Sequence, residues 1–228
     1  MHPLDNIIWR ALTTRQAAFA EVYEEARRFP REVTSLAAFP DPSPRAYGSL
    51  AGLAGPRGTT AVFLDEPYAA QPGWEFIAGA PLLEMVCDGP VADGHAKGTL
   101  VKLGKLDAPE MVELATLTKP GPFGLRTHEL GNYFGIRVNG ELVAMAGERL
   151  QVPGYTEVSA VCTHPDHLGK GYARTLMEEV MRGICQRGEI PCLHVRQDNA
   201  RAIALYERLG FRTRKIIHFA VLRNVRDS

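Results

Sequence analysis

Apolar positions along this chain follow two spacings, and the switch between them marks its elements. Ala17, Ala18, Val22 and Ala26 recur at helical spacing and stop at Phe29-Pro30, which predicts a helix before about residue 40. Asp-Pro-Ser-Pro at 41–44 and the glycine-rich 48–58 read as loop. The β-branched run T-T-A-V-F-L at 59–64 predicts a strand, with shorter strands at 74–77 and 82–87. Residues 98–106 read as strand or connector. Asp107-Ala108-Pro109-Glu110 then announces a helix to about Leu117, from a cap, a first-turn proline and an early acid. After the turn-rich K-P-G-P-F-G at 119–124, strands are expected at 133–138, 141–149 and 155–162. Asn139-Gly140 joins the first two as a hairpin. The alternation of elements is that of an α/β protein.

The stretch from Tyr155 carries the chemistry. A β-branched strand ends near Cys162, the chain breaks at Thr163-His164-Pro165, and Gly169-Lys170-Gly171 leads into a helix. Ala173, Leu176, Met177, Val180, Met181 and Ile184 give that helix one apolar face. Two glycines before a first turn let backbone approach a ligand and aim free N–H groups at it. With the positive end of the helix dipole they make an anion site suited to a pyrophosphate, and Lys170 and Arg174 add charge. A P-loop is excluded because Lys170 is followed by glycine at the wrong spacing. A dinucleotide fingerprint is disfavoured because Arg174 stands where a third small residue belongs. The pyrophosphate of coenzyme A remains, although a lone G-x-G is equally a structural turn.

A second segment, P-C-L-H-V-R-Q-D-N-A-R-A-I-A-L-Y-E-R-L-G-F at 191–211, decides between them. Its short strand leads to Asn199 at an N-cap position, and its helix ends at Gly210. Together the segments resemble the GNAT superfamily of acetyl-CoA-dependent N-acyltransferases: the first is similar to the P-x-x-R-G-x-G-x-G/A loop, the second to N-x-x-A-x-x-L-Y-x-x-L-G-F. Glu157 also resembles a feature of the glycine N-acyltransferase-like branch. Leu168 departs from the usual Arg or Gln of the loop, and Ala173 takes its final small position.

The resemblance implies a GNAT fold: a mixed, mostly antiparallel sheet splayed at the coenzyme site and flanked by helices. It implies a transferase domain at 104–228 and a smaller N-terminal α/β extension at 1–103. The donor would contact backbone at Val161, Cys162 and Thr163, the loop Gly169, Lys170, Gly171, Tyr172, Ala173 and Arg174, and Asn199. Tyr206 is the implied general acid, since a phenol of reference pKa about 10 stays protonated at neutral pH. Glu157 is the first candidate base and His194 the second, at a position where ribosomal-protein-type members carry glutamate. Glu148 is a further acid for the cleft, and His164 reads as a turn residue. The acceptor pocket would involve 119–128, where Arg126 is a carboxylate ligand or a solvated loop arginine.

Composition bounds the partners. Among 228 residues, 26 basic and 26 acidic side chains balance to zero, which points away from nucleic acid and membrane surfaces. No signal-like or membrane-length apolar run stands out. Cys87, Cys162, Cys185 and Cys192 match no zinc spacing and read as reduced thiols of a cytoplasmic protein, with no metal. The expected partners are acetyl-CoA and a small amine or amino-acid acceptor; a homodimer is compatible with this reading. The alternative is a non-catalytic acyl-CoA or amino-acid sensor on the same fold.

Overall fold

The structure is a computed structural model and describes residues 2–89 and 98–226. In chain order its elements are α1 (Ile7–Thr13), β1 (Glu21–Tyr23), β2 (Ala26–Arg28), β3 (Ala37–Ala38), α2 (Pro44–Ala54), β4 (Thr59–Leu64) and β5 (Trp74–Val86). Then follow β6 (Leu100–Leu103), α3 (Ala108–Thr118), β7 (Tyr133–Val138), β8 (Glu141–Val152) and β9 (Tyr155–Thr163). The chain closes with α4 (Tyr172–Gln186), β10 (Ile190–Arg196), α5 (Ala200–Arg208) and β11 (Arg212–Asn224).

The main sheet has eight strands among the described residues, in the order β4-β11-β5-β10-β9-β8-β7-β6. All its neighbours are antiparallel except β9 and β10. Strand β5 inserts between β10 and β11, so strands from both sides of the expected 103/104 division share one sheet. The two short strands expected at 74–77 and 82–87 are one continuous β5, stabilised by pairing along both edges. Adjacent residues on a strand point to opposite faces, and the core divides accordingly. Met85, Leu193 and Val195 pack with α4 and α5, while Val86 and Cys192 pack with α1.

Two N-terminal expectations are corrected. The helix read from Ala17 to Ala26 is a short 3-10 turn followed by the β1–β2 hairpin, with Glu24 at φ 46° in its turn. Val22 is exposed there and packs no helical face. The loop read across 41–58 contains α2: Ser43 caps it by accepting from Ala46 N at 3.1 Å, and Pro44 opens it. Gly52 lies inside α2, and close packing accounts for a glycine there, since a β-carbon would meet the Tyr23 ring at 2.5 Å. The Asn139-Gly140 hairpin forms as expected, with φ of 53° and 90° suiting a type I′ turn.

Candidate active site

Strands β9 and β10 run parallel only over Tyr155–Glu157 and Ile190–Cys192. Beyond that point the ladder ends, and residues 158–163 keep β8 on one edge with a gap on the other. Ala160 at φ 53° and a register shift between Ser159 and Cys162 bend β9 where the gap opens. Val161, Cys162 and Thr163 therefore border the splay on the β9 side.

At the end of β9, His164 Nδ1 accepts from Asp166 N at 3.2 Å and caps a 3-10 turn at Pro165–His167, so His164 is a turn residue. Gly169 and Gly171 take φ of 80° and 85°, which favours glycine, and Gly171 is the N-cap of α4 without a side-chain cap. Among the described residues the N–H groups of 169–174 have no internal acceptor. They present to solvent a row of unpaired donors at a helix N-terminus, the arrangement that holds phosphate oxygens. The side chains add less: Lys170 Nζ lies 3.1 Å from His167, and Arg174 is held by Glu178 at 2.7 Å. Leu168 is half exposed.

Across the gap, Asn199 caps α5 by accepting from Ala202 N at 3.1 Å. Tyr206 projects from α5 into the core, 9% exposed, with its ring T-shaped against Phe211. Burial, with the neighbouring Cys162 thiol, pushes its phenol up to about 12. Tyr206 thus sits close to β9 where the strands part, protonated at any physiological pH. Burial likewise pushes the Cys162 thiol up to about 11.

The opposite face of the sheet carries a chain of buried ionic groups. Glu157 is 1% exposed, and Arg149 grips it with two hydrogen bonds of 2.8 and 2.7 Å. His194 Nδ1 lies 2.7 Å from the same carboxylate, and Leu150 N donates to it at 3.3 Å. Burial would raise Glu157, but the Arg149 charge and these hydrogen bonds overcome it and hold the carboxyl at about 2. A carboxylate so engaged has little affinity for a proton, contrary to the expectation of Glu157 as first candidate base. His194 differs. Burial would lower its pKa, but hydrogen bonds and charge from Glu157 and Glu84 raise it above 6.5. Its Nε2 lies 3.4 Å from Glu84, and its ring packs on Phe63 at 4.8 Å. Glu84 in turn pairs with Arg214, which reaches Asp5 at 2.6 Å.

A cavity of about 350 Å³ lies between the C-terminal end of α3, the 119–123 loop and Phe219. Gly121 borders it, and a β-carbon there would stand 3.7 Å from Arg149 Nη1. Other expected residues are engaged elsewhere. Glu148 binds Arg187 at 2.9 Å and Asn132, and Arg126 forms a fork with Glu129 at 2.8 and 2.7 Å, so it is the solvated loop arginine. The sequence reading missed Arg149 and Glu84. The one available signal for Arg149 was a strand acid flanked by buried positions with an arginine close to it across the β8–β9 turn. Among the described residues no cluster of three or more His, Cys, Asp or Glu could hold a metal ion, and no helix is long and apolar enough to cross a membrane.

Known proteins resemble this chain in sequence and fold. Residues 133–219 match the family model described as FR47-like protein. The N-alpha-acetyltransferase RimI of Mycobacterium tuberculosis (strain ATCC 25618 / H37Rv) is 34% identical over 124 residues, covering 50% of this chain and 77% of RimI. A GNAT-family protein of known crystal structure from Novosphingobium aromaticivorans DSM 12444 is 40% identical, with a TM-score of 0.88 over 97% of this chain and 98% of that one. A GCN5-related N-acetyltransferase from Kribbella flavida, 17% identical, has the same fold with a TM-score of 0.64 over 98% of this chain and 97% of its own. With the splayed strands, the open N–H row of the α4 start and the buried tyrosine of α5 already described, the chain belongs to the GNAT family of acetyltransferases.

Proposed function

We propose that this acetyltransferase moves an acetyl group from acetyl-CoA to a primary amine by direct attack within a ternary complex. The observation that carries the reading is the gap between β9 and β10, with free N–H groups at one end and Tyr206 beside it. The pyrophosphate of the donor would take the N–H groups of residues 169–174, including Tyr172 and Ala173. Its pantetheine arm would lie along Val161, Cys162 and Thr163, with Asn199 at its side. A backbone N–H on β9 facing the gap would stabilise the charge that develops on the thioester oxygen.

In the reaction the amine nitrogen bonds to the acetyl carbon and the carbon–sulfur bond breaks. The departing thiolate takes the Tyr206 proton, and solvent restores the phenol. The arriving ammonium must first lose a proton. We take His194 as the base of the two candidates: hydrogen bonds and charge from Glu157 and Glu84 raise its imidazole pKa, whereas the Glu157 carboxyl is held at about 2. Glu157 then acts as a positioning residue that orients the imidazole. The likeness of its position to the glycine N-acyltransferase-like branch would accordingly be one of placement.

The donor seat and the catalytic residues would all lie within 104–228, with residues 1–103 completing the sheet through β4, β5 and β6. A cytoplasmic site suits four free cysteines, three of them buried. The experiment is calorimetric titration of acetyl-CoA followed by thiol release across a panel of primary amines. Donor binding with amine-dependent release supports the reading; absence of donor binding at high micromolar concentration sinks it.

A further inference from the structure

A larger cavity, of about 650 Å³, lies outside the splay, between the N-terminal segment, the 39–42 turn and the 63–71 segment. Its volume is that of a small-molecule pocket. None of the residues that make the donor seat lines it. Its walls combine two chemistries. Phe39 and Tyr47 pack with ring centroids 5.0 Å apart, and Phe63 closes the inner end. Around these rings stand five carboxylates, Asp5, Asp41, Asp65, Glu66 and Glu84, against one basic lining residue, Arg10.

The ion pairs divide the carboxylates. Arg214 and Lys215, which do not line the cavity, serve Asp5, Glu84 and Asp65. Asp41 and Glu66 at the rim have no ion pair among the described residues. Arg27 already stacks on the lining Trp9 at 4.4 Å, so the unbalanced negative charge is that of Asp41 and Glu66 at the rim, near the Phe39, Tyr47 and Phe63 rings whose quadrupoles also favour a cation. Glu84 sets the inner wall with its side chain 1% exposed and touches His194 Nε2 at 3.4 Å, while Phe63 covers the same imidazole. A group bound here thus lies one side chain away from the proposed base.

We propose that this cavity is a binding site for an organic ammonium ion with an aromatic or alkyl body. The aromatic walls take the apolar body, and Asp41 and Glu66 attract the charge at the rim. The ion is either the acetyl acceptor itself or an effector that acts on His194 through Glu84; both sources share the chemistry that the cavity recognises. The binding stands whether or not acetyl transfer occurs.

The test is calorimetric titration of the full chain with phenethylammonium and with its neutral counterpart 2-phenylethanol, on wild type and on the Asp41→Asn/Glu66→Gln double variant. Both substituted residues are exposed, and acetyl-CoA titration checks that the variant is folded. The expected result is that phenethylammonium binds wild type about tenfold more tightly than the alcohol, and that the double variant loses most of this difference. Mass detection of N-acetylphenethylamine after adding acetyl-CoA identifies an acceptor; ammonium binding without product identifies an effector. Equal affinity for ammonium and alcohol, an unchanged double variant, or no ammonium binding to a protein that binds acetyl-CoA would overturn the proposal. Ammonium binding without acetyl-CoA binding would instead remove the transfer reading and leave this one standing.

Discussion

The two sides of the β9–β10 gap are built on opposite plans. The glycine loop and the start of α4 offer backbone donors that nothing among the described residues uses. The Arg149–Glu157–His194–Glu84 chain on the other face consists of side chains that use one another fully. As the proposed donor seat, the unpaired amides would tolerate side-chain change, because their contacts would be main-chain. A chain of buried charges is held together by its members, and removing one exposes the rest to an uncompensated low-dielectric setting. Substitutions on the first side should tune donor affinity, and those on the second should cost stability or turnover.

The largest effect is expected from Arg149→Met, which leaves Glu157 buried without its cation. It should destabilise the fold by about 3–5 kcal/mol, read by urea denaturation at neutral pH. The wild-type pair also has a pH signature. Because the folded Glu157 carboxyl is depressed from 4.5 to about 2, its stabilisation is complete above 4.5 and is lost as pH falls through that window. Arg149→Met should weaken this acid-side loss. If the variant matches wild type in stability, the buried chain is not the interdependent unit described above.

Next in size is His194→Gln, expected to lower kcat/KM by about 100-fold, the usual scale of a general base. The raised imidazole pKa fixes the direction in pH. Wild-type activity should climb as His194 loses its proton, with an acid limb above 6.5, and that limb should vanish in the variant. A limb that persists assigns it to another group. Its structural counterpart has the opposite sign, since a raised histidine stabilises the fold below 6.5 and ceases to do so as pH rises through the folded value.

The donor side gives smaller numbers. Gly171→Ala forces a side chain into φ 85°, which should weaken acetyl-CoA by about tenfold with kcat nearly unchanged, since strain of this kind costs roughly 1–2 kcal/mol. Lys170→Ala should weaken it by only about threefold, because an exposed charge adds little beside the amides. Donor affinity that responds more to Lys170 than to Gly171 would reverse the comparison.

The same division explains what could be read from the chain. The glycine loop, the amphipathic α4 and the Asn199 cap are local, written within a few residues in a recognisable order, and they stand where the pattern predicts. The buried chain joins β5, β8, β9 and β10 through a register shift between Glu148 and Gln151, which linear spacing does not encode. The insertion of β5 between β10 and β11 is likewise long-range pairing. In the N-terminal part, local signals misled. Alanines at helical spacing fold as a hairpin because the turn at Glu24 and the pairing with β3 outweigh propensity. Gly48 and Gly52 read as breakers although the Ser43-Pro44 start and contact with Tyr23 make α2.

In the proposed reaction the gap seats the donor through backbone while Tyr206 supplies the leaving-group proton. Tyr206→Phe, which keeps the buried ring, tests it when acetyl-CoA affinity and amine-dependent thiol release are measured on the same preparation. Donor affinity should stay within about twofold of wild type and turnover should fall by at least about 100-fold. Turnover that survives the substitution, or affinity that falls as far as turnover does, would contradict it.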